Sequence, residues 1–259
     1  MCGVMHSTWG LLAVATLTGV SARAQDTIFF PPRDHVAIRA MRSIPIVDVA
    51  PGVHVHTVVG PTGSVSVGDL DSGGVAPLHH HTREQVDVGL AGTADIIVGN
   101  HTETLPPGAG VLIPADVNHS LMNRRAGVVT LIEFHTVPRP DLVPPRPTAT
   151  YPASAQPVAL ADDRPLVGDM STKPGKTFTG RACMVRWRWV GAATDVHPRA
   201  TSTELFVYVA RGDVELRAEG RTFRLPEGSL AIIPPGLVHA EMKAVGESNA
   251  GLIEFQVNK

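Results

Sequence analysis

Blocks of residues recur about 120 positions apart, and this repeat constrains the fold more than any other feature of the chain. Leu131-Ile132-Glu133-Phe134 returns as Leu252-Ile253-Glu254-Phe255, at an offset of 121. Leu105-Pro106-Pro107-Gly108 returns as Leu225-Pro226-Glu227-Gly228, at an offset of 120. The run Gly108 to Ile113-Pro114 returns as Gly228 to Ile233-Pro234, and Gly92 pairs with Gly212 and His119 with His239, all at 120. Chance does not hold a register over that distance, so the chain is two copies of one unit. Its 259 residues suit two modest domains.

Within each copy the texture is β. The chain has 25 Gly and 22 Pro, a density of helix breakers that favours short strands joined by tight turns. Val53 to Val59, Val65 to Gly68 and Thr93 to Val98 alternate. Met184 to Val190 and Leu205 to Val209 are rich in β-branched and aromatic residues. Pro61-Thr62-Gly63, Pro106-Pro107-Gly108 and Pro226-Glu227-Gly228 are turn signals between them. An all-β sandwich or barrel is expected for each copy.

The flanks divide the chain further. Trp9 to Val20 is mostly apolar and is followed by Ala22-Arg23-Ala24, a small-x-small cleavage pattern. Residues 1–24 therefore read as a secretory signal peptide, although no Lys or Arg precedes the apolar run. The mature chain is expected in the periplasm or outside the cell. Its single cysteine, Cys183, cannot form an internal disulfide, so the core must suffice. Residues 25–45 read as an N-terminal arm whose Phe29-Phe30-Pro31-Pro32 offers an apolar contact for the opposite copy. The first domain is placed at 46–135 and the second at 166–259. Between them, residues 136–165 form a Pro-rich linker, extended because proline supplies no N–H and fixes φ.

Charge and hydropathy exclude some partners. A formal charge of −2 gives no basic footprint for nucleic acid. No run of 18 apolar residues occurs, so no membrane-spanning helix is expected and no membrane contact after signal cleavage. A small-molecule ligand is the expected partner, and a homodimer stays open.

The first copy carries a pattern with metal chemistry in it. Gly73 is followed after five residues by His79-His80-His81, then Gln85 and Gly92. Gly108 is followed by Pro114, Asp116, His119 and Asn123. His79 and His81 lie on one side of a strand, because side chains alternate with period two. Gln85 follows a short turn, and His119 is positioned to bring in a third imidazole. Three imidazoles and an oxygen donor suit Fe, Mn, Ni, Zn or Cu, with coordination positions left open. His54-Val55-His56 is also His-x-His, but no partner signal follows it, and it reads as strand decoration. Asp87 is a candidate polar group inside the barrel if the strand continues in phase with Gln85.

These spacings resemble the two motifs of the cupin superfamily. Its pattern is Gly, five residues, His-x-His, three or four residues, Glu, six residues, Gly, and then Gly, five residues, Pro-x-Gly, two residues, His, three residues, Asn. The duplicated arrangement looks like a bicupin. The resemblance covers most of 52–134 and 181–255, and it implies two tandem small jelly-roll β-barrels, each with a metal-capable pocket. It implies that His79, His81, Gln85 and His119 hold one divalent transition metal. The first copy departs from the pattern in two places. Gln85 stands where the family usually has Glu, as in some cupin lyases and uronate-processing cupins, and Asp116 replaces a Gly. The neighbouring Glu84 is passed over because its distance to Gly92 is wrong.

The second copy is eroded. Gly191, five residues and His197 fit, but by that spacing Arg199 stands where the second His belongs. Glu204 suits the distance from His197 and is one residue too far from Gly212, while Leu205, at the right distance, ligates nothing. His239 fits, and Lys243 replaces the Asn. His197, Glu204 and His239 are thus a degenerate candidate site, either a salt-bridged remnant or an anion pocket. The function implied by the resemblance is a metal-dependent enzyme acting on a small oxygen-bearing organic molecule, with dioxygenase the leading reaction type. An isomerase or lyase on sugar acids and a non-catalytic binding or storage-type bicupin are the alternatives.

Overall fold

The computed structural model of the protein describes residues 35–139, 166–169, 171, 175–192, 199–239, 242–246 and 248–258. The signal segment, the Phe-Phe-Pro-Pro part of the arm, most of the Pro-rich linker and His197 lie outside the described residues. Apart from a single 3-10 turn at Met41–Ser43, the elements among the described residues are all strands. The alternating stretches read from the sequence form Val53–Val59, Ser64–Leu70, Ala94–Val98, Cys183–Val190 and Leu205–Arg211.

The first copy folds as two facing sheets. One runs in the order Leu166–Asp169, Ala109–Ile113, Gln85–Ala91, Val129–His135, Ser64–Leu70, Val53–Val59, Val47–Ala50. The other runs Val75–His79, His119–Met122, Ala94–Val98, His101–Leu105. Val55, Val111 and Leu131 from the first sheet pack with Ile96, Val98 and Leu121 from the second in one core. The second copy repeats this with a six-stranded sheet over a three-stranded one, and Val207, Ala231 and Leu252 meet Leu216, Leu225 and Ala244. Each copy is a small jelly-roll barrel with its own core.

A third core joins the barrels. In Val129–His135, Leu131 belongs to the barrel's own interior, while Ile132 and Phe134 lie in a cluster shared with Val185, Trp187, Phe206, Ile253 and Phe255 of the other copy. Ala250–Val257 repeats the pattern, with Leu252 inward and Ile253 and Phe255 at the shared surface. The recurring Leu-Ile-Glu-Phe block is therefore a strand buried on both faces, with alternate residues serving two cores. Phe134 and Phe255 stack with ring centroids 4.9 Å apart, and both are fully buried. Each such side chain stabilises the pairing by about 1.5–3 kcal/mol.

Two features bind the barrels reciprocally. First, strands are exchanged. Ala37–Ala40 pairs with Ser229–Ile233 of the second barrel, and Leu166–Asp169 pairs with Ala109–Ile113 of the first. Ala37 faces Ile232 and Leu166 faces Leu112, which are equivalent positions of the repeat. Second, buried carboxylates cross the junction. Glu84 accepts the N–H groups of Arg181 and Ala182 at 2.7 and 2.8 Å. Glu204 accepts the N–H and hydroxyl of Thr62 at 3.1 and 2.7 Å. Gly180 and Gly60 leave the room each carboxylate needs, since a Cβ at either would press on it.

Candidate metal centre

His79 ends the strand Val75–His79, His81 lies in the following turn, and Gln85 opens Gln85–Ala91. His119 opens His119–Met122 and pairs with His79 across the strands. Asp116 sits at φ +64° in the turn before His119, and its N–H donates to the His81 carbonyl at 2.8 Å. Asp tolerates this left-handed conformation, and the bond ties the two motifs together. Asn123 completes the loop by donating to the carbonyls of Leu70 and Gly127 at 3.1 and 2.7 Å.

The imidazoles converge. Their ligand atoms all lie within 4.8 Å of one another. Each Nδ1 faces a backbone carbonyl: His79 to Pro77 at 2.7 Å, His81 to Arg83 at 2.8 Å and His119 to Val117 at 3.0 Å. Donation there fixes the tautomer and leaves every Nε2 as an inward lone pair. Burial keeps the rings neutral. It lowers the pKa of His79 and His119, and that of His81 to about 3, with the His135 ring and the Arg83 charge adding to the effect on His81.

Two observations test whether a cation fits. His119 is 3% exposed, and its Nε2 has no hydrogen-bond partner among the described residues. His81 Nε2 lies 2.8 Å from Gln85 Oε1. Both of those atoms are acceptors, because the Gln85 amide nitrogen donates to Asp87 Oδ1 at 2.7 Å. Two lone pairs at that distance repel unless a cation lies beside both. Adjacent ligands about 2.1 Å from a metal stand roughly 3 Å apart at right angles, so the spacing suits a shared ion. The donor set fits a divalent transition metal.

Beyond the imidazoles, a small pocket with about 30 Å3 of free space is lined by Asp87, Glu133, His135 and Arg139 as well as His79, Gln85 and His119. Asp87 lies inside the barrel at 1% exposure. It faces Glu133 across the strands. Burial raises both carboxyl pKa values, Asp87 well above the ordinary range with help from the Glu133 charge. Arg139 and His79 temper the rise at Glu133. In the sequence Glu133 stands out only as part of the repeated block. The one signal that it faces the pocket is parity, since it lies two residues from Leu131 on one strand and Leu131 enters the same barrel's core.

The remaining candidates fall elsewhere. Glu84 caps the other barrel, as the choice of Gln85 requires. His54 binds Asp48 and Asp71 at the surface, and His56 is buried against the Ile44 carbonyl, so both decorate a strand. In the second barrel Glu204 is committed to Thr62 of the first, and it does not join His239. The alignment of Arg199 with His81 is also corrected. Arg199 pairs with His239 as His79 pairs with His119. Thr201 takes the place of His81, since its carbonyl receives Gly236 N–H as that of His81 receives Asp116 N–H. In sequence, Arg199 lies two residues farther from Gly191 than His79 lies from Gly73, so counting from Gly191 misplaces the register.

A family model described as Cupin domain matches residues 66–135, and one described as AraC-like ligand binding domain matches 187–246. Compared by sequence with curated proteins, the chain matches none. Among solved structures it resembles protein Ylba from E. coli, at TM-score 0.68 and 11% identity over 88% of this chain and 93% of that one. A variant of salicylate 1,2-dioxygenase from Pseudoaminobacter salicylatoxidans gives TM-score 0.64 and 13% identity over 87% and 85%. A variant of oxalate decarboxylase from Bacillus subtilis gives 0.62 and 13% over 87% and 79%. At these identities the likeness is one of fold.

Proposed function

The chain belongs to the cupin superfamily as two domains in tandem, and we propose that the first is a metal-dependent enzyme site for a small oxygen-bearing organic molecule. His79, His81, Gln85 and His119 would hold one divalent transition metal. The observation that carries this is the pair of facing acceptors, His81 Nε2 and Gln85 Oε1, beside the unmatched His119 Nε2. A metal held there supplies a Lewis acid that polarises a bound oxygen and lowers the pKa of a bound hydroxyl or water.

The chain's own residues supply positioning and proton transfer. Asp87 holds the Gln85 amide so that Oε1 faces the imidazoles. Glu133 lines the same pocket, and its raised carboxyl pKa suits a group that takes a proton from the bound molecule and returns it. Arg139 lines the same pocket, and its charge acts on the Glu133 carboxyl. Among enzyme classes these groups favour proton relocation, as in an isomerase or lyase on a sugar acid. Dioxygenase chemistry is the second reading, supported by a donor set with coordination positions to spare and by the likeness to salicylate dioxygenase. Export of the mature chain belongs to the same proposal. Elemental analysis of tag-free protein, followed by oxygen uptake and product analysis with phenols, diketones and sugar acids, separates the readings. Turnover without oxygen consumption supports the isomerase or lyase reading, and stoichiometric uptake supports the dioxygenase. No turnover by the metal-loaded protein leaves the binding or storage bicupin.

A further inference from the structure

The strands that meet at the junction between the barrels carry different rows in the two copies. In the first, Asp69, Thr130 and Ala91 stand side by side across three strands. In the second, Trp189, Gly251 and Arg211 hold the same places, since Gly251 precedes Leu252 as Thr130 precedes Leu131. The first row is closed on itself. Asp69 accepts Arg42 Nη2 at 2.9 Å and the Thr130 hydroxyl at 2.7 Å. Met41, beside Arg42, is fully buried in the shared core.

The second row is open. Gly251 has no side chain, and the indoles lie over it: a Cβ there would sit 3.2 Å from the Trp187 ring and 3.4 Å from the Trp189 ring. The two ring centroids are 5.9 Å apart. A register shift between Val209 and Arg211 brings both Ala210 and Arg211 to the same cleft. Leu90 and Pro107 of the first barrel form its opposite wall, and it holds about 200 Å3 of free space. Two groups of its wall lack partners. Trp187 is 6% exposed, and its Nε1 has no hydrogen-bond partner among the described residues, although a buried indole N–H normally finds one. No hydrogen bond or ion pair ties the Arg211 guanidinium among the described residues, and Arg211 stands at the exposed rim. The Trp189 N–H is already committed to the Ser171 carbonyl at 2.8 Å.

We propose that this cleft binds a small aromatic carboxylate, with its ring against the Trp187 and Trp189 indoles and its carboxylate on Arg211. An apolar cavity of roughly 150 Å3 holds a benzene ring, so the free space suffices for one ring and its carboxylate. Leu90, Pro107 and Ala210 supply apolar contact, and the indoles supply ring faces. A guanidinium pairs with both oxygens of a carboxylate, as Arg42 does with Asp69 on the first row. A sugar fits less well, because its ring hydroxyls would meet few side-chain hydrogen-bonding groups on these walls. The cleft shares no lining residue with the metal pocket, so its ligand does not depend on the metal.

Trp187 and Trp189 are the chain's indoles apart from Trp9. The indole fluorescence of full-length Trp9→Phe protein, titrated with benzoate, therefore reports on the cleft. A saturable change is expected, with one benzoate per chain by isothermal titration. Acetate, which lacks the ring, should bind at least about tenfold more weakly. Arg211→Gln should weaken benzoate binding roughly tenfold, through the loss of one charge-assisted pair, with metal content and melting temperature unchanged. Ala210→Phe fills the cleft and should abolish binding. Arg211→Gln, at the exposed rim, covers the case in which that variant does not fold. His119→Ala should bind benzoate as the parent does. No saturable benzoate binding by the folded parent overturns the proposal, and so does binding of undiminished strength in Arg211→Gln. Binding lost in His119→Ala overturns it too, because the benzoate would then belong to the metal pocket.

Discussion

Gln85 and Asp87, two residues apart on one strand, are joined by a hydrogen bond of 2.7 Å from the amide nitrogen to Oδ1 of the carboxyl group. The bond determines which end of the amide meets the imidazoles. A free glutamine could present either its oxygen or its N–H, and only the oxygen can ligate a metal. Asp87 is in this sense a positioning residue. Replacing Asp87 with Ala should lower metal affinity by about 10–100-fold while leaving the three imidazoles in place, the range typical of lost outer-sphere partners. Gln85→Glu should shift the balance differently. The new carboxylate would adjoin Asp87 and Glu133, so the metal-free protein should melt lower and gain more from added metal than the parent does. Metal titrations followed by thermal melts check both.

Glu84 and Gln85 are neighbours with separate tasks, and substitution should separate them. Glu84→Ala removes a buried charged acceptor from the N–H groups of Arg181 and Ala182. It should cost about 1–3 kcal/mol of stability with metal content unchanged. Gln85→Ala should do the reverse, lowering metal content with little effect on the metal-free melt. Urea unfolding and elemental analysis of the two variants decide the matter.

Strong acid should act on the second barrel's charge cluster. Burial would raise the Glu254 pKa, but Arg188, Arg186 and Arg199 together hold it below the ordinary value. His239 is the neighbouring neutral group. A depressed native pKa gives stability that is complete above the unfolded value of about 4.3 and is lost as pH falls through the native one. The buried imidazoles, whose native pKa values are lowered, already cost stability as pH falls below about 6.5; below about pH 4.3 the decline in unfolding free energy should steepen, and that further steepening should be weaker in Glu254→Gln. An equal pH slope in the two proteins would assign the acid lability to other carboxylates.

Export carries its own check. Mass spectrometry of protein from the native host should find a chain beginning at Gln25, the residue after the Ala22-Arg23-Ala24 pattern. A cytoplasmic chain still starting at Met1 counts against it.

Much of the fold and of the candidate metal site is legible in the amino-acid sequence. Period-two alternation and a repeat of about 120 residues suffice for the paired barrels, and the His and Gly spacings single out His79, His81 and His119, which converge, and Gln85, which meets His81. What stays hidden has physical reasons. Glu133 and Glu254 sit in strands buried on both faces, where the apolar run obscures which residues point inward. Arg186 and Arg188 read as ordinary strand polarity until the pairing with Ala250–Val257 sets them around Glu254. The exchanged strands Ala37–Ala40 and Leu166–Asp169 are short edge segments, whose partners depend on backbone pairing that leaves no residue signature. Glu204 resembles a ligand because its spacing nearly fits, while its bond to Thr62 depends on how the barrels face each other.

The central claim is that one barrel holds a metal and the other does not. Elemental analysis of tag-free, full-length protein after exposure to Fe, Mn, Ni, Zn and Cu measures it directly. The expected result is about one transition-metal ion per chain, because one set of three imidazoles and an amide oxygen converges. His79→Ala/His119→Ala should abolish that content, and His239→Ala should leave it intact. Full occupancy retained in the His79→Ala/His119→Ala variant, or a content near zero in the folded parent protein, would contradict the account.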